Sequence, residues 1–381
     1  MKKKIAFIIL FLVVGIAAII GFVFYGMGET DKSAKKRLTV ENITIGVLYI
    51  TDPARETGGY TYAHDVGIKQ MQRELGLLDD QILRKVNIHE FDKMGVESAM
   101  RDLIVAGADI VIATSWGYMD ICEKLAAEFP KTIFAHASGY KRNETNFTNY
   151  FGRIYQARYL SGIAAGLKTR TNKIGFVAAM GKDNSEVTGG LNAFALGVAR
   201  VNPDARVFVS VTNSWFDPIQ ERLAAQTLIT IGSDVIAQHC DTTLPMIEAE
   251  KAGVWGIGYN TDMSKDAPKA VIASVVWSWG AYYTHLVRSV ISGSFTTAPY
   301  FGGIAEKMVD LTPLAPFAAN GTEKLIASER KRILYDGFNV FDGVIATNEG
   351  GAIGREGATL SDDEIQSGIH WYYQNIVEIG R

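Results

Sequence analysis

Four short apolar runs decide how this chain is read: Val207-Phe-Val-Ser-Val211, Val235-Ile-Ala237, Val254-Trp-Gly-Ile257 and Ala270-Val-Ile-Ala-Ser-Val-Val276. Each reads as a short strand buried on both faces. A polar and aromatic cluster follows at the carboxyl end of each run or lies just beyond it. These clusters are Asn213-Ser-Trp-Phe-Asp-Pro218, Gln238-His-Cys-Asp-Thr-Thr243, Tyr259-Asn-Thr-Asp-Met263 and Trp277-Ser-Trp-Gly280. In an open parallel sheet, ligands bind outside the carboxyl ends of the strands. Carboxylates and tryptophans are therefore expected to converge on one crevice. Stacking rings beside hydrogen-bonding acids suit a flat, polar, heteroaromatic ligand.

Working outward, the same alternation extends in both directions. Upstream, strands are expected over 43–50, 86–91, 108–113 and 132–136, and helices over 63–75 and 95–106 and up to Phe129. Asn143 to Tyr150 reads as a polar crossing segment. Then come a small-residue helix over 156–167, able to pack closely, a strand over 173–178 and a helix over 185–200. Helices over 219–231, 244–252 and 281–292 separate or follow the four opening strands. Strands alternating with helices imply parallel sheets with right-handed crossovers. Two such series imply an α/β chain of two doubly wound lobes with a cleft between them: about 42–150 plus 277–298, and about 151–276. Residues 299–381 stay unallocated. They are expected to hold a strand over 301–311, a helix over 322–336, a strand over 340–345, and a capping box at Ser361 and Glu364.

The amino terminus has a different character. Lys2-Lys-Lys4 precedes Ile5 to Met27, a stretch of about 23 residues without charge, long enough to span a bilayer. It exceeds the ~7–15 residues of a secretory apolar region. Lysines stay on the cytoplasmic side, which places the rest of the chain outside. Residues 1–28 are read as a signal anchor or signal peptide and 29–41 as a polar tether. The expected location is the extracytoplasmic face of the cell membrane, anchored or secreted.

The totals exclude several classes. At 381 residues the chain exceeds one ordinary core. A net charge of −3 argues against a nucleic-acid partner, which needs a basic face. A repressor of related fold is disfavoured because the apolar stretch stands where a DNA-binding head would. Cys122 and Cys240 have no zinc or CxxC spacing and read as buried free thiols. His64, His136 and His239 lie on separate elements and read as internally satisfied. There is no phosphate-binding glycine loop and no Gly-x-Ser-x-Gly elbow. Capture without bond-making, with no cofactor and no metal, is the expectation.

Several motifs together resemble the basic membrane protein family, the purine-nucleoside-receptor-like substrate-binding proteins of ABC importers. They are Gly59-Tyr-Thr-Tyr-Ala-His-Asp65, Thr114-Ser-Trp-Gly-Tyr-Met-Asp120, Trp215-Phe-Asp-Pro218, His239-Cys-Asp-Thr242 and Val276-Trp-Ser-Trp-Gly280. The resemblance implies a type I periplasmic-binding-protein fold with several hinge strands, closing on a purine-type ligand. It also implies delivery to a permease with a cytoplasmic ATPase. Tyr60 corresponds to the family's stacking aromatic, Trp116 to the aromatic of the second loop and Asp120 to the acid after it. Trp215 and Phe216 match the aromatic position before Asp-Pro. Where nucleoside-binding members carry a ribose-holding aspartate and lysine, this chain has Asn260 and Trp277. That departure favours a free base such as adenine over a nucleoside.

Each candidate also has a plainer reading. Tyr60 either stacks on ligand or covers the sheet edge, and Trp116 either meets ligand or plugs the interlobe surface. Asp120 accepts from a base amino group or caps a helix. Asp217 reads as a cap, with Pro218 in the first helical position. Asp241 reads a base N–H edge or caps the next helix, and Asp262 touches ligand or fixes the Asn260 loop. Trp277 and Trp279, at alternate strand positions, point to opposite faces, so one of them packs in the hinge. The rival readings are a ligand-sensing ectodomain of a membrane receptor and a purine-processing hydrolase.

Overall fold

The structure, a computed structural model, describes residues 37–380. The apolar stretch Ile5 to Met27, read as a membrane segment, lies outside the described residues. Among the described residues no helix is long and apolar enough to cross a membrane. Residues 40–380 belong to one compact unit.

Ten helices and fifteen strands make two sheets and a hairpin among the described residues. In chain order the first part has β1 (Ile45–Leu48), α1 (Tyr60–Leu75), β2 (Ile82–Lys85), α2 (Lys93–Val105), β3 (Ile110–Ala113), α3 (Met119–Glu128), β4 (Ile133–Ala137) and β5 (Phe147–Gly152). The second part has α4 (Ile154–Lys168), β6 (Lys173–Ala178), α5 (Ser185–Val201), β7 (Arg206–Val211), α6 (Pro218–Thr230), β8 (Val235–His239), α7 (Leu244–Ala252), β9 (Trp255–Asn260) and β10 (Val271–Trp277). Then come α8 (Trp279–Ser292), β11 (Tyr300–Gly302), β12 (Val309–Leu311), α9 (Thr322–Tyr335), β13 (Asp342–Ala346), β14 (Ala352–Thr359), α10 (Asp362–Ser367) and β15 (Ile376–Glu378).

The first sheet runs β11-β5-β4-β3-β1-β2 and is parallel throughout. The second runs β12-β10-β9-β8-β6-β7-β15, parallel except for the β10–β12 edge. Parallel strands are buried on both faces, and side chains alternate between two cores. Ile45, Val47, Ile110 and Ile112 face the large core, which continues into the second sheet. Leu48, Val111, Ala113 and Phe134 face a smaller core closed by α2 and α3.

The four opening runs are β7, β8, β9 and β10. The small-residue helix also packs as its composition requires. A Cβ on Gly162 would sit 2.0 Å from the Phe194 carbonyl, so α4 and α5 touch through backbone. Ser361 and Glu364 form the reciprocal cap of α10.

Three expectations are corrected. The second strand is Ile82–Lys85, not 86–91. It is the sheet's edge and only half-buried, so it lacks an apolar run, and Arg84 and Lys85 are held by Asp65, Asp79 and Asp102. The apolar residues after it lie in a loop in which Asn87 adopts φ 58°. Asn143 to Tyr150 is not only a crossing: it turns at Asn143, whose Oδ1 accepts from the Thr145, Asn146 and Phe147 amides, and then forms β5. The expected strand over 301–311 is two strands in different sheets, β11 and β12, separated by a turn over 303–308.

The chain passes between the sheets three times: after β5, after β10 and between β11 and β12. Helix α8 returns to pack against α1 beside the first sheet. A Cβ on Gly67 of α1 would lie 2.7 Å from Trp279 Cβ of α8.

Candidate ligand-binding cleft

A cleft of ≈ 830 Å³ opens at the carboxyl ends of both sheets. That falls within the usual range of ligand sites, ~300–1,000 Å³. One wall carries Tyr60, Glu56, Glu90 and Trp116, and the other Glu186, Trp215, Phe216, Asp241 and Tyr259.

Local chemistry fixes these positions. Asp217 accepts from the Ile219 and Gln220 amides at 3.0 Å, and Pro218 takes the first turn of α6. This anchors Trp215 and Phe216 just before the helix. The Asp241 amide donates to the Trp215 carbonyl at 2.9 Å, tying the two loops of this wall together. Across the cleft, Gly59 adopts φ 96° at the start of α1, a region that favours glycine. A Cβ there would lie 2.7 Å from the Asp241 carbonyl, so the two walls approach through this residue.

Trp116 is 53 % exposed on one rim and Phe216 56 % exposed on the other. Tyr60 is held more rigidly. Its ring meets His64 edge-on at 4.4 Å and Trp279 edge-on at 5.9 Å. Such edge-to-face contacts fix ring orientation.

The acids differ in how far they are committed. Glu90 accepts from the Ser115 hydroxyl and, at 3.1 Å, from the Gly117 amide. Glu56 accepts from the Thr51 hydroxyl. Asp241 accepts from Asn260 Nδ2 at 2.8 Å. Its carboxyl is nonetheless pushed well above the usual range, first by burial and then by repulsion from Glu221. Glu186, in the first turn of α5, lines the cleft with 22 % of its side chain exposed. Burial raises it to about 7, while Arg158 pulls the other way.

Five sequence candidates thus line the cleft: Tyr60, Trp116, Trp215, Phe216 and Asp241. Five do not. Asp120 lies in the first turn of α3, exposed, and pairs with Lys93 and Lys141 at 3.3 and 3.1 Å; it neither faces the cleft nor caps the helix by its side chain. Asn260 is fully buried behind Asp241. Asp262 caps a short 3-10 turn by accepting from the Ser264 amide. Trp277 and Trp279 do not diverge, because Trp279 is the first residue of α8 rather than a strand residue. The two rings stack at 4.5 Å inside the hinge.

Glu186 and Tyr259 were missed. A glutamate after Asn184 reads as ordinary helix-start chemistry, and Tyr259 sits inside an apolar strand. Phe91 and His89 of the β2–α2 loop also line the cleft. The satisfied-histidine expectation holds in part for His64 and His136, each with one ring nitrogen paired: His64 Nδ1 with the Tyr283 hydroxyl and His136 Nε2 with the Ser115 carbonyl at 2.7 Å. It fails for His239, whose ring nitrogens both lack hydrogen-bond partners. Cys122 and Cys240 are buried free thiols.

Two sheets joined by three crossings around a polar and aromatic cleft define a two-lobed solute-binding scaffold. Residues 47–337 match the Bmp family, described as ABC transporter substrate-binding protein PnrA-like. A purine-binding protein of Brucella abortus is 31% identical over 361 residues, 95% of this chain and 98% of that one. A putative ABC transporter glucose-binding protein of Haloferax volcanii is 34% identical over 285 residues, covering 75% of this chain and 71% of that one. A solved solute-binding protein of Conexibacter woesei shares the fold, with TM-score 0.65 at 17% identity over 78% of this chain and 98% of that one. The chain belongs to the Bmp family of ABC transporter substrate-binding proteins, and it is a binding protein rather than an enzyme.

Proposed function

We propose that the chain captures a purine base, adenine-like rather than a nucleoside, between its two lobes and presents it to a membrane permease. The observation that carries this reading is the pair of exposed rings, Trp116 and Phe216, on opposite rims of a cleft with acids in both walls. Exposed aromatic faces lose water on contact with a flat guest, and base–aromatic stacking contributes about 1–3 kcal/mol per base. A ligand touching both walls stabilises the closed arrangement over the open one, and the permease reads that difference.

The base is favoured over the nucleoside because the two positions that would hold a ribose are committed elsewhere. Asn260 donates to Asp241, and Trp277 is stacked in the hinge. The relative that aligns over nearly the whole chain is named for purine binding. The extracytoplasmic location and the membrane tether through residues 1–28 belong to the same proposal.

Native mass spectrometry of residues 39–381, purified without added ligand, tests it. A co-purified purine-base mass is the expected result. A hexose mass, or no thermal shift with any base or nucleoside, overturns the purine reading. Steady consumption of an added base overturns capture itself.

A further inference from the structure

Of the four cleft carboxylates, three have hydrogen-bond donors within the protein and one does not. Glu56 takes Thr51, Glu90 takes Ser115 and Gly117, and Asp241 takes Asn260. Among the described residues, Glu186 has no hydrogen-bond donor. His239 Nε2 lies 3.6 Å from its Oε1.

Beneath Glu186 lies a bed of buried polar atoms that are equally uncommitted. Both ring nitrogens of His239 and the Nε and Nη2 of Arg158 lack partners. Arg158 is fully buried, donates Nη1 to the Gln238 carbonyl at 2.7 Å and lies 4.1 Å over the Tyr259 ring. Buried polar groups without partners are costly, and a site that keeps several together at the edge of a cleft is built for something that completes it.

We propose that Glu186 is the cleft's specificity-determining acceptor: its carboxylate takes an N–H of the captured heterocycle. This rests on the purine reading above and adds which side chain reads the base.

The charged and titratable groups that face Glu186 are Arg158 from α4, His239 from β8, Asp241 from the loop after β8, Tyr259 from β9 and Tyr60 across the cleft. Burial and then Arg158 hold His239 well below its usual range, so His239 stays neutral and does not keep the proton. Burial raises Glu186 to about 7, so the empty cleft holds it part-protonated at neutral pH. An N–H donor from the ligand favours the ionised form and lowers that value. The sign follows. Binding is full strength above the raised value and weakens as pH falls through it, because the carboxyl must then lose a proton to bind.

The test is calorimetry of adenine with the full chain, between pH 5.5 and 7.5, in buffers of different ionisation enthalpy. Adenine's own ring titrations lie well away from neutrality. The expected result is release of about half a proton near pH 7 and binding roughly twentyfold weaker at pH 5.5 than at 7.5. Glu186→Gln is expected to bind weakly with no pH dependence, and Asp241→Asn to keep the pH dependence. Should Glu186→Gln fail to fold, wild-type proton release and Asp241→Asn decide the matter. Adenine binding without proton release, or pH dependence lost in Asp241→Asn and kept in Glu186→Gln, overturns the assignment and leaves the purine reading intact. If adenine does not bind at any pH, the purine reading fails and this inference falls with it.

Discussion

Two sets of aromatic side chains, in the hinge and at the cleft rims, have opposite fates. In the hinge, His64 stacks on Trp279 at 4.1 Å, Trp279 on Trp277 at 4.5 Å, and Tyr150 on Tyr282 at 4.1 Å. Trp279 and Tyr283 have no exposed surface. At the cleft rims, Trp116 and Phe216 are more than half exposed. Composition does not separate the clusters; what separates them is whether neighbouring elements already cover both faces of each ring. Helices α1 and α8, together with the strand end at β10, saturate the hinge rings. The rim rings hang from loops before α3 and α6 with one face uncovered. The hinge cluster is therefore placed to hold the fold together, and the rim cluster is the one our proposal assigns to the ligand.

Trp279→Ala should break this division most sharply. It removes a buried indole from a stack on both sides, and aromatic-to-alanine changes in cores cost about 3–5 kcal/mol. Chemical denaturation should show that loss. A variant that unfolds like wild type but no longer binds would move Trp279 from hinge to site.

Gly67→Ala probes the same helix contact from the other side. Its Cβ would meet Trp279 Cβ at 2.7 Å and the Gly280 amide nitrogen at 2.8 Å. Part of that obstruction is backbone, which cannot rotate away. Overpacking of this kind costs about 1–3 kcal/mol. A thermal melt should fall without any new pH dependence, and an unchanged melt would mean that α1 and α8 can separate freely.

The double change Trp116→Ala with Phe216→Ala should behave in reverse. Exposed rings contribute little to folding, so the melt should hold. Binding of a base should weaken by about 1–3 kcal/mol for each ring that stacks. Calorimetry checks this, and unchanged affinity would remove both rims from the site.

The same contrast explains what was legible in the residues. Local chemistry was legible: Asp217-Pro218 starts α6, and Ser361 with Glu364 caps α10, because caps depend on neighbours in sequence. The apolar runs of β8 to β10 were legible because these parallel strands are buried on both faces, whereas in β7 only Val207 and Val209 are buried. Crossings between sheets were not. Residues 301–311 look like one strand, yet the chain changes sheets there, and no local pattern records a partner that lies elsewhere in the chain. Alternate spacing puts one of Trp277 and Trp279 in the hinge and the other elsewhere, yet both rings stack together there because Trp279 begins a helix. Glu186 looked like helix-start chemistry, and its isolation from donors exists only in three dimensions.

The smallest effect is the most pointed for sequence reading. Asp120 corresponds by motif to a family acid after the second-loop aromatic, yet its side chain meets Lys93 and Lys141 on the outer surface. Those lysines hold its carboxyl below the usual carboxylate range. More than half of the side chain is exposed, so solvent screens the pairs. Asp120→Asn should therefore shift stability by no more than about 0.5 kcal/mol and leave base affinity unchanged. A tenfold loss of affinity in that variant would show that the rim carrying Trp116 rearranges on closure and brings Asp120 to the ligand. The division between a fixed hinge and adaptable rims would then have to include α3 among the moving parts.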